Sequence, residues 1–461
     1  MKQQTTLKDG FMRWPVLFLV SLTMFFAYMF VDVLSPLKTM LETEINWSST
    51  TFGTYAGSEF FLNVFVFFLI FAGVILDKMG IRFTAILSGT LMVIGAGIKL
   101  YALSEYFRSG GFGYEFLNSF IPSFPATAKL ASVGFAIFGC GCEMGGVTVS
   151  RILVKWFSGK QLALAMGLEM AIARLGVFAV FQLSPRLANL GDPSIMRPVF
   201  VVSLLLCIGL IFYILYSILD KKLDEQLGEA SADEEEPFRL SDLRLIAGSS
   251  VFWIVALLCV LFYSAIFPFQ KFSTEMIANN LGVTTEVAAS IFSIFPMGAL
   301  FMTPIIGGIL DYYGKGATML MAGSIMMAGC HLVFAFYPFV LGETVSYVVM
   351  IATIVVLGVS FSLVPASLWP SVPKLIDGKV LGSAYSAIFW VQNVGLLLVP
   401  MLIGAVLEAT NSSIQAGQPM DYKYAMVIFS SFGVIAFFLA FILKTVDRKK
   451  GYGLELPNVK K

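Results

Sequence analysis

Long apolar runs, each closed by a short polar interval, recur along the whole chain. They fall near 13–35, 52–76, 83–103, 129–152, 162–189, 196–219, 251–276, 284–310, 317–339, 345–370, 380–408 and 422–446. A helix needs about 20 apolar residues to cross a hydrocarbon layer, and each run is about that long. Only helices satisfy their own backbone polar groups across a segment of that length in lipid. The pattern therefore predicts an all-α polytopic membrane protein with twelve transmembrane helices. The first run starts near Arg13 and lacks a small-residue cleavage site, so it reads as a retained helix.

Composition agrees, with 58% apolar residues among 461. The net charge of +1 matters less than where the basic residues fall. If both termini are cytoplasmic, the cytoplasmic segments hold 21 of the 30 Lys and Arg residues and the opposite side holds eight. The remaining one, Arg174, sits inside a span. The basic residues thus track topology, and no nucleic-acid partner is implied. Cys140, Cys142, Cys207, Cys259 and Cys330 all lie in apolar runs without metal or redox spacing, which predicts buried reduced thiols. The one histidine, His331, is expected to pack between helices. No metal, cofactor or enzymatic constellation is visible.

Two charges stand out because lipid makes them expensive. Glu143 lies in GFAIFGCGCEMGGVTVS (Gly134–Ser150) and Arg174 in LALAMGLEMAIARLGVFAVF (Leu162–Phe181). The interval RILVKWFSGKQ (Arg151–Gln161) reads as a polar turn joining the two spans as an antiparallel hairpin. Counted from that turn, each charge lies about ten residues, roughly 15 Å, into its helix, near the midplane. An isolated charge there costs several kcal/mol, and Arg cannot shed its proton. The pair is expected to form a polar site inside a helical bundle.

The chain also repeats itself. Gly73-Val-Ile-Leu-Asp77-Lys-Met-Gly80-Ile-Arg82 matches Gly307-Gly-Ile-Leu-Asp311-Tyr-Tyr-Gly314-Lys315 at a spacing of 234. Lys155, Gly159, Lys160, Leu162, Ala165 and Gly176 match Lys374, Gly378, Lys379, Leu381, Ala384 and Gly395 at a spacing of 219. A longer extracytoplasmic loop at about 104–128 reconciles the two spacings. The expected organisation is a six-helix half at 1–219, a cytoplasmic linker at 220–250, a second half at 251–446 and a cytoplasmic tail at 447–461. Within the linker, the acidic tract Asp224–Glu236 is expected to be solvated, and Phe238–Leu245 to lie along the membrane surface. At the 219 spacing Glu143 corresponds to Ser362 and Arg174 to Asn393, so the repeat folds without either charge.

The G-x-x-x-D-K-x-G-x-R stretch, in the short loop between the second and third helices, resembles the signature of the major facilitator superfamily. The resemblance implies a cytoplasmic gate built from Gly73, Asp77, Gly80 and Arg82, with Asp311 and Gly314 in a degenerate second copy. Gly73 is expected to allow close helix approach and Gly80 a tight turn. Asp77 is expected to face a helix N-terminus of the other half, and Arg82 a carboxylate or carbonyl across the same interface. In this superfamily the substrate site lies between two parallel repeats near midplane.

The segments Val154–Gly176, Phe262–Phe269 (FYSAIFPF) and Ala366–Leu396 resemble the lysosomal dipeptide transporter family, major facilitator superfamily domain-containing protein 1. That resemblance implies a secondary transporter moving dipeptides by alternating access as a uniporter, with Glu143 and Arg174 engaging the peptide. A dipeptide carries an ammonium and a carboxylate, and a Glu/Arg pair offers the opposite charges, with Arg174 able to grip a carboxylate through two N–H groups. Asn393, Gln392, Trp369 and Trp390 are expected to line side-chain pockets, while Asp32 and Glu59 add polarity. The alternative is transport of another small organic ion or drug, with or without proton coupling. The amino-terminal MKQQTTLKDGFMRW lacks an acidic dileucine signal, so a microbial inner membrane is expected, or a lysosomal membrane in an animal-type cell. Lipid and a small peptide are the partners implied; an accessory subunit is left open.

Overall fold

The computed structural model describes residues 7, 10–157, 161–227, 244, 246–377 and 380–457. Most of the acidic linker lies outside them, as do Gly159, Lys160, Gly378 and Lys379 of the second repeat match. Every regular element among the described residues is helical. In chain order the helices are α1 (Arg13–Asp32), α2 (Lys38–Ile45), α3 (Ser49–Ser58), α4 (Phe61–Phe65), α5 (Phe68–Leu103), α6 (Glu105–Arg108), α7 (Tyr114–Asn118), α8 (Ala126–Phe157), α9 (Leu162–Ala188) and α10 (Met196–Leu227). They continue with α11 (Ser250–Leu281), α12 (Thr285–Phe292), α13 (Ile294–Tyr313), α14 (Gly316–Phe336), α15 (Thr344–Leu375), α16 (Leu381–Thr410) and α17 (Lys423–Lys450).

Eleven stretches among the described residues are long and apolar enough to cross a membrane. The second run of the hydropathy pattern is the one that differs. It is divided into α3, α4 and the start of α5, with Phe67 in left-handed backbone (φ 54°) at the last break. Gly80 (φ 78°, ψ 168°) then turns a corner within α5, so α5 carries the end of the second run and the whole of the third. A side chain would strain that φ, which explains the glycine in the loop. The Arg151–Gln161 interval is also less of a turn than its polarity suggests. α8 continues through Phe157, because Ile152, Leu153, Trp156 and Phe157 form a buried apolar face.

The chain divides into two compact units. Unit 1 comprises Met1–Val33, Phe61–Val180 and Leu187–Pro237; unit 2 comprises Leu34–Phe60, Phe181–Arg186 and Phe238–Lys461. In unit 1, α10 leaves Phe200, Leu204, Ile208, Ile211, Leu215 and Ile218 exposed at intervals of three and four. Such a stripe suits contact with acyl chains rather than water. Helices α5 and α8 meet at small residues. A Cβ on Gly134 would stand 2.7 Å from the Gly95 carbonyl oxygen and 2.8 Å from the Lys99 nitrogen, and one on Gly141 2.7 Å from the Ser88 carbonyl oxygen. Backbones lie against each other there, the means by which helices associate in lipid. Replacing Gly134 with leucine is expected to cost roughly 1–3 kcal/mol or more through overpacking. A fall in the melting temperature of detergent-solubilised protein by several degrees checks this; an unchanged value would show that the crossing is not close.

The thiols need one correction. No disulfide joins the five cysteines, but Cys207 is exposed on α10 and Cys142 is only partly covered. His331 is fully buried, edge-on to Phe269 (5.0 Å) and tilted against Phe429 (5.3 Å).

Candidate functional site

The glycine contacts that set helix spacing in unit 1 also aim its charges. Glu143 lies nine residues after Gly134, half a turn round α8, and so on the opposite face from the α5 contact. On α9, Gly176 packs against the Phe25 carbonyl of α1, and Arg174, two residues earlier, points well away from that contact. Both charged side chains are half-buried, neither sealed in packing nor fully open. Tyr28 of α1 interacts electrostatically with Glu143, Arg174, Glu169 and Cys142.

Glu169 and Tyr28 were not singled out from sequence. Glu169 stands in the same apolar segment as Arg174, so its charge was a usable signal. Lys99 is a further charge within an apolar run. It is fully buried in α5, its ammonium 4.0 Å from the Phe30 ring centre and 4.4 Å from that of Phe135. Asp32, at the end of α1, is buried.

The second-repeat residues lie in unit 2. The Trp369 indole N–H donates to the Tyr263 hydroxyl (3.1 Å), and its ring stacks on Phe389 with centroids 5.0 Å apart. Tyr385 donates to the Trp369 carbonyl (3.4 Å). The Gln392 amide oxygen accepts from the Cys259 thiol (3.3 Å), which ties α16 to α11. Asn393 is buried and Trp390 half-buried on α16. Glu59 is buried where α3 ends.

The signature loop is held by its own repeat. Arg82 reaches Asp224 (3.2 Å) and Asp220 (4.0 Å) on α10, and Asp77 pairs with Arg151 of α8 (3.5 Å). Lys155 joins the same two carboxylates, Asp220 at 2.8 Å and Asp224 at 2.6 Å, and the Trp156 indole N–H donates to Asp220 (2.9 Å). Asp220 is fully buried and needs these cationic and N–H partners close by. A Cβ on Gly73 or Gly80 would meet nothing within 4 Å, so close approach does not explain Gly73 in this conformation.

A second charged cluster, joined only by the tertiary fold, lies in unit 2. The Lys38 ammonium sits 2.7 Å from Glu275 and 3.8 Å from Glu42. Glu275 also accepts from the Thr39 hydroxyl (3.0 Å) and from the Tyr422 hydroxyl. Lys38 is 1% exposed and Glu275 6%, so this ion pair is shielded from solvent and screened little by salt. Around it, Gly53 and Gly57 of α3 pack on the carbonyls of Pro400 and Leu397, Gly404 packs on that of Ser49, and Thr50 N–H donates to Glu408 (3.1 Å). Gln182 donates to Ser293 (2.7 Å) and Arg186 to Ser290 (3.1 Å). Residues 34–60 and 181–186 belong to the first repeat by sequence, yet they are built into a unit made of the second.

Apolar spans, an internally repeated sequence and ionisable residues within the spans fit a transport protein. The chain belongs to the Major Facilitator Superfamily, which it matches over residues 20–275 and 272–456. It is similar to the lysosomal dipeptide transporter MFSD1 of Danio rerio, 25% identical over 94% of this chain and 86% of that protein. The Homo sapiens protein of the same name is 24% identical over 96% of this chain and 88% of its own length. Among solved structures, the nucleoside transporter NupG superposes with a TM-score of 0.67 at 14% identity, over 93% of this chain and 99% of that one. A bacterial homologue of the human lysosomal transporter Spinster, in an inward-facing and occupied conformation, also gives 0.67, at 15% identity over 95% and 98%. These two likenesses concern the fold alone.

Proposed function

We propose that the protein carries dipeptides across a membrane by alternating access, as a uniporter. The observation that carries this reading is one carboxylate, Glu143, and one guanidinium, Arg174, each only partly buried and deep within its helix, both in electrostatic reach of Tyr28. Arg174 grips the substrate carboxylate through paired N–H groups, and Glu143 attracts its ammonium. The names of the relatives in fish and human support the same substrate class. We place both termini and the Asp77–Arg82 loop in the cytoplasm, from the distribution of Lys and Arg. The Lys38–Glu275 cluster then lies at the extracytoplasmic end, where it serves as a gate. A microbial inner membrane is the proposed location, with a lysosomal membrane as the counterpart in an animal-type cell.

One observation favours a second reading. Glu169 adds another carboxylate within reach of Tyr28. A second acid in reach of the same hydroxyl suits a site that also takes up a proton, with another small organic ion as cargo. A thermal-shift panel on purified protein separates the two. A ligand at a hundred times its Kd stabilises by about 2.7 kcal/mol, a shift of several degrees. Dipeptides are expected to give it, whereas free amino acids and tripeptides give less. Stabilisation by organic anions but by no dipeptide would overturn the proposal.

A further inference from the structure

The two signature loops are built alike but finished differently. In the first repeat, Arg82 reaches carboxylates on α10, and Lys155 of α8 meets the same carboxylates. Side chains thus tie together the start of the third span and the ends of the fourth and sixth. In the second repeat the residue at the Arg82 position is Gly316, which has no side chain to offer. The lysine matching Lys155 is Lys374, at the end of α15.

A backbone segment does the tying instead. α17 ends at Gly451 in left-handed conformation (φ 72°), and the chain turns back across the loop. Lys315 N–H donates to the Glu455 carbonyl (3.1 Å) and Gly316 N–H to the Leu454 carbonyl (2.9 Å). Lys374 donates to the Gly453 carbonyl (3.2 Å). Leu454 N–H donates to Asp447, on the last helix of its repeat as Asp220 is on the last helix of the first (3.1 Å). The Glu455 carboxylate accepts from the Thr318 N–H (2.9 Å) and hydroxyl (2.8 Å), capping the N-terminus of α14. Lys444 stands 3.7 Å from that carboxylate, and Leu454 is buried beneath the segment. The loop is shaped for this occupant. A Cβ on Gly314 would lie 2.5 Å from the Glu455 carbonyl oxygen and one on Gly316 2.8 Å from that of Leu454, whereas the matching Gly80 has open space.

We propose that Gly451–Pro457 is a releasable strap that restrains the ends of α14 and α15 and thereby slows transport. The helix it holds is bendable there. Pro365, Pro370 and Pro373 remove backbone hydrogen bonds from the last turns of α15, leaving Lys374 to anchor its end. The holding contacts are mostly hydrogen bonds to one short segment outside the helices, so they give way before the buried helix packing does. Release lets α15 bend during the transport cycle, and the bound strap holds it back.

The experiment pins and frees the strap in full-length protein. Lys315→Cys with Glu455→Cys, in a background whose native cysteines are serine, is joined by a cleavable thiosulfonate cross-linker. Hydrogen exchange at residues 366–377 is read alongside turnover in vesicles, so the structural readout does not depend on which substrate is carried. Cross-linking is expected to slow both exchange and turnover at least threefold, with reductant restoring both. Glu455→Ala is expected to raise both at least threefold. Equal turnover in the pinned, reduced and released forms would overturn the proposal, as would a lower turnover on release.

Discussion

Replacing Arg174 with alanine is expected to lower dipeptide uptake, as kcat/KM, by about two orders of magnitude or more. Losing one partner of a desolvated, hydrogen-bonded charge pair costs roughly 2–5 kcal/mol, and each 1.4 kcal/mol is a factor of ten. Arg174→Lys keeps the charge but not the planar fork, so it is expected to recover only part of the loss. Glu143→Gln keeps shape and removes the charge that draws the ammonium; its deficit is expected to shrink for a substrate with an acetylated amino group, relative to wild type. Initial uptake rates in reconstituted vesicles, normalised to inserted protein, check all three. Wild-type rates in both Arg174→Ala and Glu143→Gln would remove these residues from the substrate.

The second large effect concerns the buried Lys38–Glu275 pair. Glu275→Ala removes the 2.7 Å partner of the Lys38 ammonium and leaves it shielded from water, with Glu42 3.8 Å away. Breaking such a pair from one side costs about 3–5 kcal/mol, whereas removing both charges costs much less. The single variant is therefore expected to depopulate the conformation described here, since a few kcal/mol shifts a two-state balance a hundredfold or more. Cys142, in the same helix as Glu143, serves as the reporter once the other cysteines are serine. Labelling by a membrane-impermeant thiol reagent from the extracytoplasmic side is expected to accelerate at least tenfold in Glu275→Ala. The Lys38→Met/Glu275→Gln double variant is expected to fall between it and wild type. Unchanged labelling in the single variant would mean that the pair is not a gate.

The helical architecture was legible because lipid imposes length and apolarity on every span, and both are properties of local sequence. The division of the second span was not. The stretch from Phe60 to Phe71 is almost uniformly apolar, and no residue in it announces the left-handed turn at Phe67. Glu143 and Arg174 could be read because charge is conspicuous in an apolar run, and the same rule, applied further, would have found Glu169 and Lys99. Lys38 and Glu275 resisted because their meeting is tertiary. Thr39, beside Lys38, is 236 residues from Glu275, and the only local hint was the i,i+4 spacing to Glu42. The contacts of Glu455 were hidden for a related reason. A short segment bound through its backbone leaves no hydrophobic period, and only the glycines at 314 and 316 marked where it would lie.

The central claim is that a zwitterion is held by both of its ends, and uptake with capped competitors tests it most directly. Vesicles containing the purified protein are given a labelled dipeptide without a pH gradient. Saturable uptake is expected, abolished by excess unlabelled dipeptide but unaffected by the same peptide acetylated at its amino end and amidated at its carboxyl end. Competition by the doubly capped peptide equal to that of the free one would contradict the account.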